Sequence, residues 1–97
     1  MQLYAILRRN GWSSAEELQV AAARSGDVGD KMADDVRWIR SYVLGEGAGS
    51  LGTVCIYEGV SPEAIRKHAA RAGLPADEII PIVDTVIVRS DPVATTA

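Results

Sequence analysis

The order of strand and helix patterns is the feature that most limits the folds open to this 97-residue chain. Apolar and β-branched runs predict strands over residues 2–9, 36–44, 51–58 and 82–89. Helix patterns follow the first and third strands, so the predicted order is βαββαβ. Because each crossover should be right-handed, both helices lie on one face of a four-stranded antiparallel sheet. The sequence therefore predicts an α+β, ferredoxin-like sandwich over residues 1–90.

Local signals mark the ends of the two helices. Ser13 and Glu16 have the spacing of a capping box, and Gly26 and Gly29 are expected to end the first helix. Pro62 suits the first position of the second helix, which should end at Gly73. The first helix carries one face of mainly small residues, formed by Leu18, Ala21, Ala22 and Ser25.

The remaining segments are predicted as connections. Residues 26–35 form an acidic loop with at most one helical turn, and residues 45–50 form a flexible hairpin loop. Residues 74–78 are expected to make a short helical turn. Residues 91–97 are small and polar, which predicts a flexible C-terminal tail.

Charge and composition exclude several classes of function. The net charge of −3 and the pI of about 5.0 leave no basic stripe for nucleic-acid phosphates. No apolar run approaches the roughly 20 residues of a membrane-spanning helix. The N-terminus begins in a strand pattern without a signal-peptide pattern, and Cys55 is the only cysteine. We therefore expect a cytoplasmic protein with no nucleic-acid or membrane partner.

Strand alternation divides the predicted strands between two faces of the sheet. We expect the alanine-rich helices to pack against the smaller aliphatic set, which includes Leu7, Ile39 and Val54. Four of the five aromatic residues then fall on the other, open face. The residues predicted for that open face are Tyr4, Arg8, Trp38, Arg40, Tyr42, Thr53, Cys55 and Tyr57.

An aromatic sheet face of this size predicts a homodimer, because a stable monomer seldom leaves such a patch in water. Two sheets packed face to face would form a dimeric α/β barrel around a cavity. Inside it, Arg40 would pair with Glu58, Asp84 or a carboxylate of the second copy, or would bind an anionic ligand. The predicted ligand-binding residues are Tyr4, Arg8, Trp38, Arg40, Tyr42, Cys55 and Tyr57.

His68, the only histidine, leaves two interpretations open. It is either a hydrogen-bonded core residue with a structural role, or a functional residue that acts as a general base or as a single metal ligand. Cys55, in the middle of a strand, is expected to be a buried and inert thiol. Because one cysteine and one histidine cannot build a zinc site alone, neither a metal nor a cofactor is predicted.

From the second strand onward, the chain resembles the bacterial family known as domain of unknown function 4242. The resemblance covers most of residues 1–90, and its most distinctive part is the run Gly73-Leu74-Pro75-Ala76-Asp77. It implies a ferredoxin-like α/β dimer. The other matching segments are Trp38-Ile39-Arg40-Ser41-Tyr42, residues 51–58, residues 62–66 and residues 68–79.

One branch of that family is nickel-responsive and nickel-binding, and its metal site depends on histidines at the end of the first strand. The corresponding stretch here is Leu7-Arg8-Arg9-Asn10, which contains no imidazole. A guanidinium stays protonated and cannot bind a metal ion. Nickel binding is therefore not carried over from the family, and the one set left to bind the metal would be His68 with Cys55 and carboxylates.

These observations lead to one main hypothesis and two alternatives. The main hypothesis is a small homodimeric ligand-binding or regulatory protein, which holds an anionic or aromatic ligand in a cavity on the open sheet face or between sheet and helix. The first alternative is a cofactor-independent enzyme of the oxygenase or cyclase kind, by fold analogy, with His68 or a tyrosine as acid or base. The second alternative is binding of nickel or another metal.

Overall fold

The computed structural model describes residues 1–92 and contains the predicted βαββαβ order. The four strands form one antiparallel sheet with the order β2-β3-β1-β4. Residues of both helices pack on the same sheet face in one core cluster, which confirms the ferredoxin-like α+β fold. The elements are β1 (Gln2–Trp12), α1 (Ala15–Lys31), β2 (Val36–Gly45), β3 (Leu51–Gly59), α2 (Pro62–Ala72) and β4 (Glu78–Pro81).

Side-chain and backbone caps define the helix ends. Helix α1 begins one residue later than predicted, because the Ser14 hydroxyl accepts a hydrogen bond from the Glu17 amide at 3.2 Å. The Glu17 carboxylate accepts one from the Ser13 amide at 2.7 Å. Helix α2 begins as predicted, capped by Ser61, and ends at Gly73 with a left-handed φ of 68°.

Helix α1 extends to Lys31, so the predictions of an end at Gly26 and Gly29 and of a loop over residues 26–35 are wrong. Burial of one helix face outweighs the cost of about 1 kcal/mol for each glycine inside the helix. No helix within residues 1–92 is long and apolar enough to cross a membrane. The residues of α1 and its C-cap that face the core are Ala21, Ser25, Val28 and Met32.

Strand β4 lies earlier in the chain than predicted. The Asp77 amide donates to the Leu7 carbonyl at 2.9 Å, and the Asp77 carboxylate accepts from the Arg9 amide at 2.6 Å. These bonds place Glu78 opposite Leu7 of β1, so the strand begins at residue 78. The prediction of a helical turn over residues 74–78 is therefore wrong. Residues 82–92 contain no regular secondary structure, so the prediction of a strand over 82–89 is wrong.

The predicted C-terminal tail begins at residue 91, and residues 93–97 lie outside the described part of the chain. A domain boundary after residue 90 stays a prediction.

A bulge in β2 changes which residues share a face. The predicted hairpin between β2 and β3 is present, but Trp38 pairs with Tyr57 whereas Arg40 pairs with Ile56. Ile39 is therefore an extra residue, and a shift of one residue exchanges the faces of a strand. As a result, Trp38 shares its face with Ser41 and Val43 in the cavity lining, and Arg40 and Tyr42 lie on the opposite face.

The helices cover the aromatic face of the sheet, so the predicted assignment of faces is wrong for most of the set. Alternation shows which residues share a face, but it does not show which face meets the helices. The small side chains of α1 pack against large sheet residues, because small residues on both sides would leave voids. The residues predicted for the open face but buried under the helices are Tyr4, Arg8, Thr53, Cys55 and Tyr57.

We expect Gly26→Ala to stabilise the protein by about 0.5–1 kcal/mol, because Gly26 lies inside α1 and an added Cβ meets no atom within 4 Å. Gly47→Ala is the matched control and should destabilise by about 1 kcal/mol, since Gly47 has a φ of 90°. Urea unfolding measures both free energies. A loss of stability in Gly26→Ala would contradict the observed length of α1.

Candidate functional site

A cavity of about 240 Å³ lies between α1 and the sheet. The Trp38 side chain is 40 % exposed at the edge strand β2, so the cavity opens to solvent along that edge. Buried sheet residues form its floor, namely Arg8, Thr53, Cys55 and Tyr57. Residues of α1 cover it, namely Leu18, Gln19, Ala21, Ala22 and Ser25. Four further residues complete the lining, namely Trp12, Ser41, Val43 and Leu74.

Arg8 is among the residues that line this cavity, and its guanidinium nitrogens are buried behind an otherwise apolar cavity surface. The residue is 1 % exposed, and Nε, Nη1 and Nη2 have no hydrogen-bond partner among the described residues. No aspartate or glutamate is among the lining residues. A buried guanidinium without a counter-charge costs several kcal/mol, so this arrangement opposes folding. A guanidinium in such a setting has the chemistry to bind an anion.

The hydroxyl groups around Arg8 already have partners. The Tyr57 hydroxyl and Ser25 Oγ share a hydrogen bond of 2.8 Å, and burial raises the pKa of Tyr57. The Cys55 thiol donates to Thr53 Oγ1 at 3.3 Å. These pairs leave the guanidinium as the polar group on the cavity floor that lacks a partner among the described residues.

Trp38 forms an aromatic wall with Tyr57. The two rings are stacked, with centroids 6.0 Å apart and planes 4° from parallel. Trp38 Nε1 donates to Ser41 Oγ at 2.8 Å, which fixes the indole at the mouth of the cavity. The bulge at Ile39 brings this side chain to the helix-covered face.

His68 is a hydrogen-bonded core residue of α2 and does not line the cavity. It is 1 % exposed, and Nε2–H donates to the Ser25 carbonyl at 3.1 Å, whereas Nδ1 has no partner within residues 1–92. Burial lowers the pKa of His68, and the nearby positive charge of Arg8 lowers it further. This geometry supports the structural interpretation of His68 over an acid–base role.

The open face holds only Arg40 and Tyr42 of the predicted ligand-binding set. Arg40 lies on the open face as predicted and is exposed in the single chain, so its burial within a dimer stays a prediction. Its Nη1 lies 3.1 Å from the Asp91 carboxylate, which also accepts from the Tyr42 hydroxyl at 2.8 Å. Thus Asp91, and neither Glu58 nor Asp84, pairs with Arg40.

The predicted set therefore divides between three places. Arg8, Trp38, Cys55 and Tyr57 meet in the cavity, while Tyr4 belongs to the core cluster and is not among the cavity-lining residues. Sequence reasoning missed Trp12, because the Asn10-Gly11 pair predicts a turn. In the structure, β1 continues through an irregularity between Arg8 and Trp12.

The described residues do not fit a nickel centre. Within residues 1–92, no three side chains of histidine, cysteine, aspartate or glutamate come close enough to hold a metal ion. His68 and Cys55 therefore do not join a carboxylate in such a group. The guanidinium of Arg8 is no substitute for an imidazole ligand.

We expect the free energy of unfolding to fall as the pH drops from 7 to 5. The folded pKa of His68 is lowered, so protons bind the unfolded histidine first, at a pKa of about 6.5. One such group gives a slope of at most about 1.4 kcal/mol per pH unit. Urea unfolding at several pH values measures it. His68→Gln should remove the slope, and a slope that persists in this variant would contradict the assignment.

Comparison with known proteins agrees with the fold. The crystal structure of SCO4226 from Streptomyces coelicolor A3(2) matches this chain with a TM-score of 0.68 and 22 % sequence identity. The match covers 87 % of this chain and 99 % of that chain. No curated protein matches the chain.

A family model supplies the assignment. The model described as "Nickel responsive protein SCO4226-like" matches residues 4–82, which is most of the chain. The match also confirms the family resemblance drawn from the sequence. This chain belongs to the SCO4226-like nickel-responsive protein family.

Proposed function

We propose that this chain is a small ligand-binding protein and that the cavity between α1 and the sheet holds an anionic ligand. The observation that carries the proposal is the buried Arg8 guanidinium, which has no partner among residues 1–92. A carboxylate or phosphate oxygen pair would complete the guanidinium fork with charge-assisted hydrogen bonds. The free and buried Cys55 thiol supports a reducing, cytoplasmic location.

Binding explains why such a costly group is retained. An unpaired buried charge lowers the stability of the empty protein, and a ligand that supplies the counter-charge recovers that free energy on binding. Residues kept for function commonly reduce stability in this way. The energetic penalty at Arg8 thus favours a binding site over a purely structural role.

The same geometry favours binding over catalysis. A general acid or base must reach the bound molecule, and His68 is not among the cavity-lining residues. Tyr57 does line the cavity, but its hydroxyl is bonded to Ser25 and burial raises its pKa. Neither group is placed to exchange a proton with a ligand near neutral pH.

We also propose that two copies associate through the open face of the sheet, which is opposite to the cavity. Its centre is apolar, formed by Ala5, Leu7, Val54 and Ile56. Arg37 and Arg40 give it two cations and Glu58 and Glu78 give it two anions, so two copies related by a twofold axis would bring opposite charges together. A domain of this size gains stability from such an additional interface.

We expect Arg8→Met to be more stable than the wild type in anion-free buffer, by about 1–4 kcal/mol, because it removes a buried charge without a partner. Benzoate, acetate or inorganic phosphate should raise the melting temperature of the wild type but not of Arg8→Met. Differential scanning fluorimetry measures both effects. Arg37→Met, which removes an exposed arginine, should keep the anion response. The proposal fails if Arg8→Met still responds to the anions.

For the dimer, sedimentation velocity should give twice the monomer mass of 10.3 kDa. Ile56→Glu should produce a monomer, since it places a charge at the apolar centre of the open face. Val60→Glu changes an exposed residue outside the strands and should leave the dimer intact. A monomeric wild type would refute the interface.

A further inference from the structure

The charge of the cavity limits the charge of its ligand. Arg8 is the one cationic residue among the cavity-lining residues, and none of them is acidic. Tyr57 stays neutral near pH 7 because burial raises its pKa, and burial keeps the neighbouring His68 neutral by lowering its pKa. A monoanion would balance this single charge, whereas a phosphate dianion would leave buried negative charge without a partner. A carboxylate therefore fits better than phosphate.

Hydrogen-bonding capacity limits the rest of the ligand. The Ser25 and Tyr57 hydroxyls bond to each other, and the Cys55 thiol bonds to Thr53. Because the cavity surface is almost entirely apolar, a sugar or another polyhydroxylated ligand would bury hydroxyl groups against it without partners, at a cost for each one. The planar fork of the Arg8 guanidinium matches the two oxygens of one carboxylate. One anionic group on an otherwise apolar body is what this cavity accommodates.

Shape and size indicate the nature of that apolar body. The cavity is about 240 Å³, and a cavity of about 150 Å³ is enough to hold benzene. It therefore has room for one ring and its carboxylate. Trp38, at the edge where the cavity opens to solvent, stacks on the buried ring of Tyr57, and Trp12 also lines the cavity. Flat aromatic walls favour a flat ring, which gains offset-stacked or edge-to-face contacts beyond area burial.

We propose that the ligand is a planar aromatic monocarboxylate. Its ring lies against Trp38, and its carboxylate binds the Arg8 guanidinium, which turns from its buried position towards the ligand. The inference rests on the proposed function, because it names the class of ligand for the same cavity. It adds two requirements that anion binding alone does not make: a single negative charge and a planar apolar ring.

Isothermal titration calorimetry with four probes tests both requirements on the full chain. Benzoate carries the charge and the ring, benzamide lacks the charge, cyclohexanecarboxylate lacks the planar ring, and inorganic phosphate lacks the ring altogether. Benzoate should bind at least about tenfold more tightly than benzamide or phosphate, as expected when a charge-assisted pair is lost or imperfectly matched. It should also bind more tightly than cyclohexanecarboxylate.

Two variants of Trp38 separate the ring contact from the rest of the site. Trp38→Leu should remove the preference for benzoate over cyclohexanecarboxylate, and Trp38→Phe should keep it. Because this side chain is 40 % exposed on an edge strand, both variants are expected to fold, which circular dichroism checks. A preference that survives in Trp38→Leu would overturn the ring placement.

The outcomes distinguish this inference from the proposed function. If phosphate or cyclohexanecarboxylate binds as well as benzoate, and Arg8→Met abolishes that binding, the anion site stands and the aromatic class is wrong. If no probe binds in a way that depends on Arg8, the proposed function fails as well. Selective binding of benzoate that is lost in Arg8→Met supports both.

Discussion

The contact between small side chains of α1 and large side chains of the sheet determines the rest of the structure. Ser25 Oγ and the Tyr57 hydroxyl share a hydrogen bond. The neighbouring alanines of α1 are small enough to leave room for the large aromatic side chains of the sheet. This contact decides which sheet face is covered. It also places the Arg8 guanidinium under a helix and away from water. The cavity, its charge and its aromatic wall all follow from that choice of face.

Two local departures from regular structure shape the cavity. The bulge at Ile39 turns the indole of Trp38 to the covered face, and the irregularity after Arg8 lets β1 continue to Trp12. Both tryptophans thereby line the same cavity. Bulges of this kind commonly redirect side chains next to functional sites. The energetic penalty at Arg8 and these departures from regularity occur together, as expected for a binding site and not for a core selected for stability alone.

The two faces of the sheet have different chemistry. The covered face holds the cavity and the buried Arg8 cation, which has no partner within residues 1–92, whereas the open face pairs Arg40 with Asp91 beside an apolar centre. Ligand binding and association of two copies are therefore proposed for separate surfaces. The family is described as nickel-responsive, yet no group of metal-binding side chains forms within residues 1–92. The site proposed for this cavity is one for an anion.

The sequence alone determined the element order, the hairpin, the limits of α2 and the groups of residues that share a face on β1 and β3, because these depend on local periodicity and capping. It also singled out the aromatic residues and Arg8 as unusual. Only the tertiary structure decided which face meets the helices, since alternation is symmetric with respect to the two faces. Burial extended α1 through Gly26, and the bond from Asp77 to Leu7 set the start of β4. Long-range packing of this kind outweighs local propensity, so the buried guanidinium, and with it the candidate site, could not be located from the sequence alone.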